Sequence, residues 1–184
     1  SMDINNYELI KYIAQKQTPI ILSTGMATLA EIDNAVKIIE NEGNNQIIIL
    51  HCIAIYPPEI KDINLNNIVM LQKAFDYPIG FSDHSKGTSI PLASVALGSC
   101  LIEKHFTLDK DMAGWDHAIS ADPKELMEIV KESKNVQKSL GSFNRIVSAD
   151  EEGKKMKFRR SIVASRRLKK GETISIDDLN VKRP

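Results

Sequence analysis

Residues 46–84 read QIIILHCIAIYPPEIKDINLNNIVMLQKAFDYPIGFSDH. Two continuous apolar runs, QIIILHC and PIGFSDH, flank a segment broken at Tyr56-Pro57-Pro58 and helical in pattern over 63–75. Runs that are apolar throughout, rather than alternating, suit strands buried on both faces, and a helix between two such strands implies that they run parallel. The pattern extends in both directions. Upstream, residues 5–17 show helical spacing at Tyr7, Ile10 and Ile13 or Ala14, and PIILSTG (19–25) is a further strand. Thr28 with Glu31 three residues on forms a capping box for a helix to about Asn41, which Gly43 ends. Downstream come a small-residue helix over 88–98, a strand CLIEKHFTL (100–108), a loop KDMAGWDHAISAD, Pro123 at a helix start and a helix over 124–139. The order is one helix and then four strand–helix units. The fold class is therefore α/β with a parallel sheet, either a doubly wound open sheet or part of a (β/α)8 barrel.

Composition agrees. Of 184 residues, 42% are hydrophobic and 26% charged, which excludes a disordered chain, a collagen and a coiled coil. No apolar run approaches the roughly 20 residues of a membrane span. Formal net charge is zero, so no global attraction to nucleic acid or membrane is expected. Ser1-Met2 reads as a cloning remnant, no basic-then-apolar leader follows, and the two cysteines, Cys52 and Cys100, each sit in an apolar run as core residues. A reducing cytoplasm is the expected location. Residues 3–140 form the α/β part, 141–157 a linker, and 158–184 a small unit of short strands and turns. From 151 to 184 there are 11 Lys+Arg against 5 Asp+Glu, a basic tail that is either a solvated face or an anion-facing lid.

The strands end in reactive residues: Ser23-Thr24, His51-Cys52, Ser82-Asp83-His84 and Glu103-Lys104-His105, with Asp116 and His117 in the following loop. Active sites of parallel α/β folds form at these strand ends. Histidines on neighbouring strand ends can share one divalent ion, with Glu103 joining or orienting them. A single such histidine more often caps a strand or packs. Ser23-Thr24-Gly25 before a helix suits a phosphate.

Taken together, PIILSTGMATLAEI, ILHC…YP, PIGFSDH, VALG…IEKHFTLD, GWDHAIS and RRSIVASRRLKKGETISIDDLNVKRP resemble the sialic acid synthases of the N-acetylneuraminate synthase type. The resemblance covers nearly all of the chain from residue 5. It implies the C-terminal half of a TIM (β/α)8 barrel followed by the start of an antifreeze-like domain. It further implies condensation of phosphoenolpyruvate with an N-acetylated amino sugar such as N-acetylmannosamine, phosphate release by C–O cleavage, and a divalent metal, Mn²⁺ or similar. By matching positions, His84 and His105 are the metal ligands and, with Glu103, the candidate catalytic residues. Ser23 and Ser82 match positions that hold phosphoenolpyruvate, and Tyr56 and Asp116 positions near the sugar. Arg183 matches the arginine that the antifreeze-like domain of one subunit of a homodimer places over its partner's sugar site.

Relative to the family, the first four barrel strands fall outside this sequence, so the site is expected to be half present and the chain inactive alone. GWDH where the family commonly has GPDH, and IAIYP after ILHC, both lie near the sugar. They leave open a diacetamido sugar leading to a legionaminic or pseudaminic type acid. A reading of another class is a non-catalytic anion- or metal-binding or assembly module built on this fold. A metal-dependent aldolase or hydrolase explains the histidines but not the whole series of motifs. Two open edges of a half barrel predict self-association.

Overall fold

The structure, a computed structural model, describes residues 1–183. It divides into one compact unit over Ser1–Gly141 and a second from Ser142 onward.

The first unit holds α1 (Tyr7–Ala14), β1 (Ile20–Ser23), α2 (Leu29–Asn41), β2 (Ile47–Cys52), α3 (Asn66–Ala74), β3 (Ile79–Asp83), α4 (Ser89–Ala96), β4 (Ile102–Lys104) and α5 (Pro123–Leu140). The four strands form one parallel sheet in the order β1-β2-β3-β4. This is a curled half of a (β/α)8 barrel, each strand beside its successor and each helix crossing back over the outer face.

Strand side chains alternate between faces. Ile47, Ile49, Ile79 and Phe81 turn to one side, where they pack with Ile32, Val36 and Ile39 of α2 and Ile68 and Leu71 of α3 as the core. Burial of such side chains stabilises by about 1.5–3 kcal/mol each. Leu50, Cys52, Gly80, Ser82 and Glu103 turn to the other, inner face, with Cys52 in register with Ser82 and Ser82 with Glu103. Gly80 permits this close packing: a Cβ there would lie 2.8 Å from the Leu101 carbonyl oxygen.

The capping box of α2 is present: Glu31 N–H donates to Thr28 Oγ1, and Thr28 N–H to Glu31 Oε2 at 2.7 Å. Gly43 (φ 75°) follows in the left-handed region that stops a helix. Asp122 caps α5 in the same reciprocal manner with Glu125, and Pro123 takes the first turn. Helix α1 is shorter than residues 5–17, because Asn6 accepts from Leu9 N–H and sets its start there.

Two further expectations are corrected. The fourth strand stops at Lys104 instead of running to residue 108. Past it, Ala121 returns and bonds the chain at both sides, N–H to His105 O at 2.7 Å and O from Thr107 N–H at 3.0 Å, so the backbone leaves β3. Cys100 is exposed, not core: it lies in the turn before β4, whereas Cys52 is buried.

In the second unit, α6 (Ala149–Phe158) lies largely within the segment read as a linker, capped by Ser148 with Glu151, and none of its residues is buried. β5 (Ser161–Ala164) pairs antiparallel with β6 (Leu179–Lys182). Asp178 is its one buried residue among those described, accepting from Ser175 N–H at 2.9 Å and from Arg166 Nε at 2.5 Å. Among the described residues no helix is long and apolar enough to cross a membrane.

Candidate active site

The inner face of the sheet gathers most of the strand-end residues. Ser82 Oγ donates to Glu103 Oε1 at 2.7 Å. His84 follows the end of β3, and its Nδ1 lies 2.8 Å from the Ile53 carbonyl oxygen. A carbonyl only accepts, so Nδ1 carries the hydrogen and Nε2 keeps its lone pair. His105 follows β4, its ring centroid 5.3 Å from that of His84 and steeply tilted to it. Asp116 reaches back from the loop to within 3.6 Å of His105 Nδ1. Tyr56 lies tilted against the His84 ring at 4.1 Å between centroids and meets the His105 ring edge-on at 5.7 Å.

Cys52 stands among these groups. Burial pushes its thiol up, but His84, Ser23, Ser1 and Ser82 around it outweigh that and bring it to about 7. Burial likewise disfavours the His84 imidazolium, yet Cys52, the Ile53 carbonyl and the Asp83 charge raise its pKa. Tyr56 is pushed up by burial and by the negative groups Cys52, Asp116 and Glu103. Ser1, set aside as a remnant, puts its hydroxyl 2.9 Å from that of Ser23.

Other residues divert to structure. His51 turns to the helix side, its Nε2 2.7 Å from the Ile63 carbonyl oxygen and its ring stacked on Phe81; burial lowers its pKa. It packs, as a strand histidine most often does, and does not join the other two. Thr24 bonds the Leu50 carbonyl, whereas the Ser23 hydroxyl meets Ser1. His117 Nδ1 is 2.7 Å from Thr107 Oγ1. Arg183 lies in the second unit, its guanidinium 4.7 Å over the Phe158 ring.

The fit to a divalent ion is as a pair of donors. His84 offers Nε2 because Nδ1 is tied to Ile53, the kind of contact that orients metal-binding imidazoles, whereas Asp116 stands 3.6 Å from His105 Nδ1, too far for a hydrogen bond. Among the described residues, no three His, Cys, Asp or Glu side chains are grouped closely enough to enclose an ion unaided.

Sequence reading missed two features. One is the setting of Cys52, which is buried as expected but fronts the inner face beside His84. The other is the partnership of Asp83 and Lys104, whose side chains meet at 2.7 Å on the opposite side of the sheet, 1% and 4% exposed. Strand alternation beside each histidine was its available signal.

Comparison with known proteins places this arrangement. The NeuB family profile matches residues 1–145 and the SAF domain profile residues 159–184. An uncharacterized protein of Methanocaldococcus jannaschii is 50% identical over 100% of this chain and 55% of its own length. The N,N'-diacetyllegionaminic acid synthase of Campylobacter jejuni is 42% identical, over 100% of this chain and 56% of its own. The crystal structure of N-acetylneuraminic acid (sialic acid) synthetase from Leptospira borgpetersenii, in complex with citrate, superposes with a TM-score of 0.77 at 41% identity. It covers 83% of this chain and 53% of that one. The chain thus spans about half the length of the curated relatives it matches. With the profile covering the whole parallel sheet and its inner-face residues, this chain belongs to the NeuB family.

Proposed function

We propose that this chain forms the C-terminal half of the active site of a nonulosonic acid synthase, which joins phosphoenolpyruvate to an N-acetylated amino sugar such as N-acetylmannosamine. The observation that carries the reading is the convergence of His84, His105, Tyr56, Ser82 and Glu103 on one face, with one ring nitrogen of His84 held so that the other is free. In the reaction, the enol carbon of phosphoenolpyruvate attacks the sugar aldehyde and forms the new C–C bond. Water adds to the neighbouring carbon, which has become positive, and its two protons go to the former aldehyde oxygen and to the departing phosphate. The C–O bond to phosphate then breaks, and the pair of electrons leaves with phosphate.

Each side chain has a part in this. His84 and His105 would hold a divalent ion, Mn²⁺ or similar, which when bound polarises the sugar aldehyde. Ser23 would donate a hydrogen bond to phosphoenolpyruvate, and Ser82 would do so once its single O–H turns away from Glu103, which holds it in this structure. Tyr56 and Asp116 border the space left for the sugar. Arg183 would cover the sugar site of a second subunit, in a cytoplasmic homodimer. The named relatives make different sugar acids, and the choice of amino sugar would fall to residues bordering the sugar, such as Tyr56 and Asp116.

Electron spin resonance of Mn²⁺ with the whole chain tests the reading. Binding that His84→Ala abolishes is expected. Mn²⁺ that stays free with the unsubstituted chain favours a non-catalytic assembly module instead.

A further inference from the structure

We propose that the buried ion pair of Asp83 and Lys104 is the positioning device of the inner-face site, holding the two strand ends from which His84 and His105 project. The inference rests on the proposed role of those histidines for its purpose, but not for its geometry. Asp83 and Lys104 are register partners on β3 and β4. Each directly precedes one of the histidines. Because side chains alternate along a strand, pairing the two charges on the helix side directs the residues after them toward the inner face.

The contacts do more than join two strands. Lys104 Nζ donates to Asp83 Oδ2 at 2.7 Å and to the Ser85 carbonyl at 2.5 Å. Ser85 N–H donates to Asp83 Oδ1 at 2.8 Å. One ammonium therefore grips the residues on both sides of His84, and the turn at Ser85 closes onto the same carboxylate. Between them His84 has little freedom, and its Nδ1 meets the Ile53 carbonyl. On the other strand the same Lys104 stands between Glu103 and His105. Taking two charges out of water is costly, and apolar pairs of similar volume often hold a fold equally well. What the ion pair adds is direction: three donor–acceptor bonds fix the chain where an apolar contact would let it slide.

The test is the tautomer of His84, read from the ring nitrogens by long-range proton–nitrogen NMR of the whole chain above the range where histidines titrate. In the unsubstituted chain His84 is expected wholly as the Nδ1–H form. Asp83→Asn with Lys104→Met removes both charges, so no lone buried charge remains, and Asn keeps an acceptor for Ser85 N–H. That double variant is expected to melt near the parent temperature yet to show His84 as a mixture of both tautomers, with Mn²⁺ bound at least tenfold more weakly. Asp83→Asn with Lys104→Gln, a neutral pair that can still bond across the strands, guards against a double variant that does not fold; it is expected to show a smaller share of the second tautomer. A pure Nδ1–H His84 in the folded variants overturns the proposal and leaves the pair a purely structural one. The tautomer is read without metal. Failure of the parent chain to bind Mn²⁺ would therefore count against the proposed function alone.

Discussion

Ser82 on β3 and Glu103 on β4 are register partners, and the serine hydroxyl donates to the carboxylate across the strands at 2.7 Å. The carboxylate thus fixes the direction of a hydroxyl that would otherwise rotate. Glu103 itself is exposed on the inner face, so the bond contributes little to stability. Glu103→Ala should change the free energy of urea unfolding by no more than about 1 kcal/mol. It should nevertheless strengthen phosphoenolpyruvate binding in titration calorimetry, because it frees the single Ser82 O–H to donate to the anion and removes a like charge. Unchanged binding would remove Glu103 from the site.

The histidines separate into two classes that substitution should resolve. His105→Ala, like His84→Ala, should abolish Mn²⁺ binding with little loss of stability. His51→Ala should leave Mn²⁺ binding intact but destabilise by about 1–3 kcal/mol, because it strands the buried Ile63 carbonyl and opens a gap beside Phe81. Urea unfolding paired with electron spin resonance distinguishes these outcomes.

The depressed pKa of His51 has a pH consequence of definite sign. Burial lowers it below its ordinary 6.5, so in the window beneath 6.5 the unfolded chain binds the proton and the folded chain does not. The His51 contribution is fully present above 6.5 and is lost as pH falls from there through the folded pKa. His84, whose pKa is raised, acts in the opposite sense: its contribution is full below 6.5 and is lost as pH rises through the folded value. Unfolding free energies of the parent and His51→Gln between about pH 5 and 7 should therefore converge as pH falls. A constant gap between them would contradict this assignment.

Cys52 and Cys100 should react with iodoacetamide in opposite patterns. Cys100 is exposed, and burial of its thiol raises its pKa above the ordinary 9.0, so its labelling should rise only at high pH. Cys52 is buried but its thiol is brought to about 7, so its slower labelling should level off at a much lower pH. Mass spectrometry of the labelled peptides reads both. Phosphoenolpyruvate should protect Cys52 and leave Cys100 unaffected, since only Cys52 fronts the inner face.

The sheet leaves β1 and β4 as open edges. Apolar side chains lie exposed near both, Ile13 and Ile21 beside β1 and Phe106, Leu126 and Val130 beside β4. Unpaired edges flanked by apolar surface invite association. Sedimentation velocity should show dimers or larger species, and Val130→Glu should shift the distribution toward monomer. A sharp monomer for the parent chain would count against this.

The elements of this fold were legible in the sequence because their signals are local. Apolar runs such as residues 46–52 mark strands, Thr28 with Glu31 marks a helix start, and both depend on neighbours a few positions away. The ordered strand-end motifs made the family legible as well. The limits of β4 were less so. Its end depends on Ala121, far along the chain, taking over the hydrogen bonds of His105 and Thr107.

His51 and Cys52 show where local information stops. Alternation along β2 requires that adjacent residues face opposite ways, and the sequence by itself determined that much. Which of the two meets the helices and which meets the site is set by where α2 and α3 pack, and that placed His51 against Ile63 and Cys52 beside His84. The pairing of Asp83 with Lys104 has the same origin. Sequence determined that charged residues precede two histidines, but only the register of β3 on β4 brought the charges together, because contacts across strands depend on the folded arrangement of distant segments.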